Sequence, residues 1–138
     1  SGNGPEDGKD SGLVNGRVLN FQNYKSGTSL MVNYSDVRRV WAIPPAGFEC
    51  CEWEIMIDGQ SCPSGPLVIP HYLLDDGNDD LHTTRSFQGF CSGISKGNHL
   101  LQVRVGACTT VNPSIIPGDC FTGWNSGHWS ISVEEINP

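Results

Sequence analysis

Six cysteines are the residues of this 138-residue chain with the clearest capacity for covalent chemistry. They are Cys50, Cys51, Cys62, Cys91, Cys108 and Cys120. Their number is even and no C-x-x-C pair occurs among them, so zinc fingers and thioredoxin-type redox sites are disfavoured. Disulfide bonds are the better interpretation, and they indicate an oxidising compartment. Free buried thiols in a cytosolic domain are the alternative.

The vicinal pair Cys50 and Cys51 constrains the disulfide pattern. Adjacent residues of a strand point to opposite faces, so these two are expected to bond to different partners. The sequence does not decide among the pairings that remain. We predict that one of the vicinal pair bonds to Cys62 and the other to Cys120. Cys91 is then predicted to bond to Cys108.

A second candidate for chemistry is the acidic segment LDDGNDDLH, residues 74–82, which contains Asp75, Asp76, Asp79 and Asp80. Clustered carboxylates can hold Ca²⁺, but the spacing does not match the calcium loop of an EF-hand. A solvated acidic loop is the favoured interpretation, with calcium binding as the alternative. No other cofactor is expected.

Two further features of the sequence could indicate a catalytic or metal site. GISKG, residues 93–97, matches the G-x-S-x-G pattern of hydrolases around Ser95, but that pattern requires a strand-to-helix turn. Here it lies between two strand-like segments, which favours a tight hairpin loop. The four histidines show no H-E-x-x-H or i, i+4 spacing. We therefore predict that the domain is not an enzyme; a hydrolase using Ser95 is the disfavoured alternative.

Charge and composition narrow the class of partner. The formal net charge is −7 and only Arg38 and Arg39 form a basic pair, which argues against nucleic acid. No apolar run approaches the ~18 residues that span a bilayer, so membrane insertion is not expected. Asn33-Tyr34-Ser35 is the only glycosylation triplet without proline, which makes Asn33 a candidate glycan site.

Residues 1–12 are polar and rich in glycine, so we predict a flexible leader followed by one domain over 13–138. Period-two alternation dominates that domain. The strongest examples are CEWEIMI (51–57), HLLQVRVGAC (99–108) and WSISVEEI (129–136), with weaker strands at 17–21, 29–34, 37–43, 67–74 and 81–87. Asp58-Gly59 supplies a hairpin turn, and Pro70 indicates an edge or bulged strand.

The pattern as a whole predicts an all-β antiparallel sandwich or jelly roll of about eight to ten strands. Trp129, Ile131 and Val133 share one face of the last strand, which is most simply a central strand of a sheet. Four further aromatic residues could form a receptor-binding patch, but the core is their default place. They are Trp41, Phe48, Phe90 and Phe121.

Several segments also carry a resemblance to a known family. GFCSGI (89–94), VGAC (105–108), GDCFTGWNS (118–126) and CCEWEIMIDGQSCPSGPLVI (50–69) resemble the C-terminal domain of the collagen triple helix repeat-containing proteins. The resemblance extends from about Gly12 to the end of the chain.

That resemblance implies a jelly roll similar to the complement-head and tumour-necrosis-factor superfamily, assembling as a homotrimer. The first and last strands would then lie together near the three-fold axis, where neighbouring subunits could help to bury Trp129, Ile131 and Val133. It implies a secreted, non-catalytic head that registers collagen-like chains of the same protein. It would present a surface to extracellular matrix or signalling partners, among them Wnt-pathway components. A calcium-dependent lectin-like or complement-like ligand-binding module is the alternative.

Overall fold

The structure is a computed structural model that describes residues 1–3, 6–41, 48–74, 82–109, 116–117, 119–124 and 127–136. Within this part of the chain there are eleven strands and no helix. Accordingly, no helix able to cross a membrane is found in these residues. The strands are β1 (Gly2–Asn3), β2 (Gly12–Asn23), β3 (Ser29–Trp41), β4 (Phe48–Ile57), β5 (Gln60–Ser61), β6 (Leu67–Leu74), β7 (Thr83–Ser92), β8 (Gly97–Ala107), β9 (Ile116–Pro117), β10 (Asp119–Thr122) and β11 (His128–Ile136).

The strands form two sheets that pack face to face. Sheet I runs β1-β11-β3-β7, with β10 continuing beside β3 after β11 ends. Sheet II runs β2-β8-β4-β6, with the two-residue strands β5 and β9 also beside β4. All pairings are antiparallel except that of β9 with β4. The predicted antiparallel sandwich is confirmed.

The central strand of sheet I is β3, with 13 residues. The sequence pattern predicted two strands here, 29–34 and 37–43, whereas the structure has a single one. Its continuity follows from β7, which pairs with it from Ser29 to Arg38 without a break. Asp36, which interrupts the apolar pattern, faces the interior opposite Arg85.

The core lies between the sheets and is built by the alternation that the sequence showed. Trp53 and Ile55 of β4 and Val103 of β8 are fully buried and pack with Val32 and Tyr34 of β3. Burial of a side chain of this size stabilises by about 1.5–3 kcal/mol. The predicted alternation in HLLQVRVGAC is confirmed. Leu101, Val103 and Val105 on one face are buried, and Arg104 on the other face is exposed.

Strand β4 departs from simple alternation because its polar face is buried as well. Glu52 accepts hydrogen bonds from the backbone N and Oγ1 of Thr109, at 3.2 and 2.9 Å. Glu54 accepts from Arg104 Nη2 at 2.7 Å and from the Ser61 hydroxyl. Both carboxylates are therefore hydrogen-bonded where they are buried, as buried charges must be.

All six cysteines are bonded, but two of the three predicted pairings were wrong. The bond of Cys120 to a member of the vicinal pair is present, with Cys51 as the partner. Cys62 bonds to Cys91, and Cys108 to Cys50. Sequence spacing could not reveal this, because β4 lies beside β8 in sheet II while the β5–β6 connection contacts β7 of sheet I. The vicinal cysteines do point to different partners, as predicted.

A buried ion pair joins the two sheets. Arg17 Nε of β2 donates to Asp36 Oδ2 of β3 at 2.9 Å, and both side chains are almost fully buried. The same carboxylate accepts from the Tyr34 hydroxyl at 2.7 Å and from the Val37 backbone N at 2.8 Å. Burial, and then the adjacent Asp36 charge, raises the pKa of Tyr34 and keeps its hydroxyl protonated as a donor.

The first residues are bound to the body of the domain at two points, which differs from the flexible leader expected from their composition. Asp7 and Thr122 exchange backbone hydrogen bonds of 2.8 and 2.9 Å, and the Asp7 side chain is buried. Asp10 Oδ1 accepts from the backbone N of Cys120 at 2.8 Å. Glycine content alone did not reveal these contacts, because they depend on the distant strand β10.

The predicted turn at Asp58-Gly59 is confirmed and carries an ionisable pair. Both residues have positive φ, as a type I′ hairpin requires. Asp58 Oδ2 contacts His99 Nδ1 at 2.6 Å, and His99 Nε2 lies 2.8 Å from the Ser95 carbonyl oxygen. Because both ring nitrogens face acceptors, the imidazolium form is favoured, and the hydrogen bond to Asp58 raises the His99 pKa.

Replacing Asp36 with Ala should lower the free energy of unfolding by about 3–5 kcal/mol, because Arg17 would remain buried without its counter-charge. Urea denaturation followed by tryptophan fluorescence measures the change. Glu6→Ala is the control: its 3.8 Å contact with Arg39 is partly exposed and should cost under about 1 kcal/mol. Equal losses in the two variants would contradict the role assigned to Asp36.

The His99–Asp58 pair should stabilise the fold most between pH 3.8 and 6.5. The contribution of His99 is fully present below pH 6.5 and is lost as pH rises through its raised folded pKa. Burial acts to raise the Asp58 pKa, but hydrogen bonds from His99 and the Leu100 backbone lower it overall. Its contribution is therefore present above pH 3.8 and is lost as pH falls through the lowered pKa.

An NMR titration of the His99 ring protons tests this. The midpoint should lie above 6.5 in the parent protein and move down in Asp58→Asn, a residue that also tolerates positive φ. Asp119→Asn, on sheet I, should leave it unchanged. A parent midpoint at or below 6.5 would show that the pair does not form.

Candidate interaction surface

The last strand places its apolar side chains in the chain's own core. Ile131 is buried, and Trp129 and Val133 are partly buried against the same cluster. The strand pairs with β3 from Ser130 to Ile136 and, on its other side, with Gly2 and Asn3 of β1. It therefore lies between two strands, as expected, but among the described residues its outer side is covered by just the two residues of β1.

The first and last strands lie side by side, and a glycine makes the contact possible. Gly2 pairs with Trp129. A Cβ at Gly2 would lie 3.2 Å from Nε1 of that indole, closer than most side chains tolerate. On its other side the Arg17 guanidinium lies 5.4 Å from the indole ring. Trp129 is thus enclosed by parts of the same chain and is not available to a partner as a whole.

The outer face of sheet I, which points away from the core, is polar at its centre. Small uncharged side chains from three strands meet there: Asn33 and Ser35 of β3, Ser86 and Gln88 of β7, and Ser130 and Ser132 of β11. We call this set the polar strip. Hydrogen bonds cross it from Ser86 to Ser35 at 3.2 Å and from Gln88 Nε2 to Asn33 Oδ1 at 3.0 Å. A depression of about 350 Å³ lies over it.

Aromatic side chains lie at both ends of the polar strip. Phe90 of β7, beside Met31, is 56% exposed at one end. At the other end Trp41 is 45% exposed, and Phe121 of β10 pairs with Arg39. The default placement of these aromatic residues in the core was wrong for Trp41 and Phe90. The Phe48 side chain lies outside the described part of the structure.

The Trp41 end is organised around one guanidinium. Arg39 lies 4.0 Å from the Phe121 ring centroid and 5.9 Å from that of Trp41. Its Nη2 is 3.8 Å from Glu6, and its Nη1 is 3.2 Å from His82 Nε2. The His82 ring in turn stacks on Trp124 at 3.7 Å. Cation–π contacts of this kind hold aromatic side chains in place at the surface.

These features are more typical of a protein–protein interface than of a catalytic site. Protein interfaces are enriched in aromatic residues and arginine and depleted of charge at their centre. From Met31 to Arg39 the two aromatic ends are about 26 Å apart along β3 at ~3.3 Å per residue. The polar strip between them has no charged side chain and only short ones, so another backbone could approach closely.

The candidate glycan site lies within this same surface. Asn33 belongs to the polar strip and its side chain is half-buried beside Gln88. An oligosaccharide on Asn33 would stand over the centre of the outer face. Glycosylation of Asn33 and a packed interface on this face therefore exclude one another.

Sequence reasoning missed the polar strip for a definite reason. Alternation in WSISVEEI shows that Ser130 and Ser132 oppose Ile131, but a polar face in a pattern predicts only that it is not core. Bringing these serines beside Ser35 and Ser86 depends on the order of strands in the sheet, which is not encoded locally. The exposed positions of Phe90 and Trp41, out of phase with their buried neighbours, were the available signal.

The calcium candidates Asp75, Asp76, Asp79 and Asp80 lie outside the described residues. Within the described ranges, no group of three or more histidine, cysteine, aspartate or glutamate residues could hold a metal ion. Calcium binding by the acidic segment stays a prediction, to be tested by a calcium-specific change in melting temperature.

Ser95 lies in the loop that connects β7 of sheet I to β8 of sheet II, so the predicted hairpin was wrong: the two strands flank a loop but do not pair with each other. His99 contacts the backbone oxygen of Ser95, while its other nitrogen is held by Asp58. Neither nitrogen is thus placed to accept the proton of the Ser95 hydroxyl, as a serine hydrolase requires. Beside this loop, a broad depression of about 530 Å³ is lined by strand β2, strand β8 and Asp58.

Comparison with protein-family models assigns the chain to a family. Residues 2–131 match the family described as "CTHRC1, C-terminal domain". The matched range includes both sheets, all six cysteines and the whole polar strip except Ser132. This agrees with the resemblance carried by the vicinal cysteines and the GDCFTGWNS segment. The chain therefore belongs to the CTHRC1 C-terminal domain family, whose members are C-terminal domains of collagen-like proteins.

Proposed function

We propose that this domain is a secreted, non-catalytic trimerisation head of a collagen-like protein. Three copies would associate through the outer face of sheet I and bring the preceding collagen-like segments into register. The assembled head would present its remaining surface to extracellular matrix or signalling partners, with a Wnt-pathway component as the kind of partner that the family resemblance suggests.

The observation that carries this proposal is the exposure of Phe90 and Trp41 at the two ends of an uncharged polar strip. Such aromatic exposure on one face costs solubility in an isolated chain and is typical of association sites. The opposite face of the same sheet is already occupied by the core. Sheet I therefore has one face for its own folding and one for a partner.

Closed association through three copies follows from the kind of interface. A patch that does not match itself contacts a different patch on the next copy, and the ring closes when the rotation is one third of a turn. The outer edge of β11 beyond β1 offers the second patch, since past Trp129 the backbone groups on the side away from β3 pair with no described strand. Collagen winding requires three chains in register, which such a ring supplies.

Three disulfides support an extracellular location, because such bonds persist in oxidising compartments. They also suit a head that must stay folded at low concentration outside the cell. Their bonds join β4, β8 and β10 and tie the β5–β6 connection to β7. None of them lies on the outer face of sheet I, so the bonds leave that face free for association.

Light scattering coupled to size exclusion, without reductant and across a dilution series, should give the mass of three chains for the parent domain. Ser132→Lys places a charge in the polar strip and should shift the mass to that of one chain, because a buried unpaired ammonium is costly. Gln102→Lys, on the outer face of sheet II, is the matched control and should remain trimeric.

The two variants separate the parts of the proposal. A stable parent monomer would overturn trimerisation itself. A parent trimer that survives Ser132→Lys but is lost in Gln102→Lys would place the interface on sheet II. Circular dichroism of each variant checks that the fold is retained.

Protein secreted from a glycosylating host should carry no glycan on Asn33 in its trimeric fraction, because the polar strip would be covered. Mass spectrometry before and after peptide-N-glycosidase digestion measures this, and Asn33→Gln supplies the reference mass. A glycosylated trimer would show that this face is open in the assembly.

A further inference from the structure

One buried cation of the interior has hydrogen-bonding groups that nothing in the described part of the chain satisfies. Arg38 lies on the inner face of β3 and is 1% exposed. Its Nε and Nη1 atoms are buried and make no hydrogen bond. A buried unsatisfied polar group costs about 1–3 kcal/mol, and more when it is charged. Native structures rarely keep such a group without a ligand or ordered water.

The neighbours of Arg38 do not supply the missing acceptors. Its guanidinium lies 5.5 Å from the Tyr34 ring and 5.6 Å from the Trp53 ring, contacts that favour a cation but accept no in-plane N–H. Asp36, two residues away on the same face, gives its oxygens to Arg17, the Tyr34 hydroxyl and the Val37 backbone. The nearest carboxylate is therefore already occupied.

A second unsatisfied nitrogen lies against the same indole. The His71 ring of β6 is 6.3 Å from the Trp53 ring, and its Nδ1 is buried without a hydrogen-bond partner. Burial and then the charges of Arg85 and Arg38 lower the pKa of His71 to about 4, so the ring is neutral at physiological pH. A neutral ring can carry its proton on Nδ1 and donate it.

We propose that a small inorganic anion of the size of chloride binds between the sheets at Arg38. The guanidinium donates either Nε–H or Nη1–H to it, since these two N–H bonds point in different directions, and its charge holds the anion. His71, whose ring packs against the same indole, lies in this region as well, and Arg85 adds positive potential. Anion binding would neutralise the charge of Arg38, which is not hydrogen-bonded to Asp36.

The consequence is an anion-linked stability. A ligand that binds only the folded state stabilises it in proportion to the logarithm of its concentration above Kd. Chloride is abundant outside cells, so an extracellular domain would have the site filled. Arg38 would then resemble Arg17 in being held by a counter-charge, with the difference that its partner comes from solution.

The melting temperature in chloride, at constant ionic strength maintained with gluconate, tests the proposal. The parent domain should gain about 3–6 °C in a saturable manner between about 1 and 150 mM chloride. Arg38→Met, close in volume and uncharged, should show no saturable gain. Arg104→Met removes an exposed arginine of sheet II and should behave like the parent. Equal chloride responses in all three proteins would overturn the proposal.

Diffraction from crystals grown in bromide gives a test that does not depend on the variant folding. An anomalous peak within about 3.5 Å of Arg38 Nε or Nη1 is expected. Water alone at these atoms, or a carboxylate from residues 75–80, would overturn the proposal. A chloride response that persists when all four aspartates of that segment are changed to Asn, together with the peak, would identify the free anion as the ligand.

Discussion

The buried carboxylate of Asp36 is the constraint on which the rest of the domain depends. It stands in the middle of β3, the strand beside which β7, β10 and β11 of sheet I all lie. An ionised carboxylate there is tolerable only because Arg17 reaches it from sheet II and the Tyr34 hydroxyl donates from the same strand. The two sheets are thus joined by a pair that cannot separate without leaving a charge unpaired. The pair also holds β2 of sheet II at one position opposite β3 of sheet I.

Around that pair the domain compensates for a modest apolar content. Only 37% of its residues are hydrophobic, and both faces of β4 are nevertheless buried. Disulfides provide part of the answer, because the Cys51–Cys120 bond joins the sheets close to the hydrogen bond from Trp53 Nε1 to Thr122 Oγ1 at 2.7 Å. Glu52 and Glu54 provide the rest of the answer. Polar side chains can be buried on the face of a sheet when each of their oxygens accepts a hydrogen bond.

The way the two faces of sheet I are used also explains where a partner can bind. The inner face of sheet I is filled by the core and by the Arg17–Asp36 pair, so β11 can offer a partner only its outer face and its free edge. That outer face carries short polar side chains between aromatic ends, and Arg39 holds one of those ends in place. The interior keeps a second charged feature, Arg38, whose counter-charge the described chain does not supply. One sheet therefore combines a surface suited to assembly with an interior site suited to a small anion.

The amino-acid sequence by itself determined the strands, since period-two alternation in CEWEIMI, HLLQVRVGAC and WSISVEEI follows from side chains that point alternately to the two faces of each strand. It also determined that the cysteines are bonded, that the vicinal pair diverges and that Asp58-Gly59 turns the chain, because these depend on local geometry. Tertiary structure alone decided which cysteine meets which, that β3 is one strand, and that Phe90 and Trp41 lie at the surface. Those outcomes depend on the order of strands across each sheet, where residues distant in the chain become neighbours. For the same reason only the folded chain could bring Asn33, Ser86 and Ser130 together on one face.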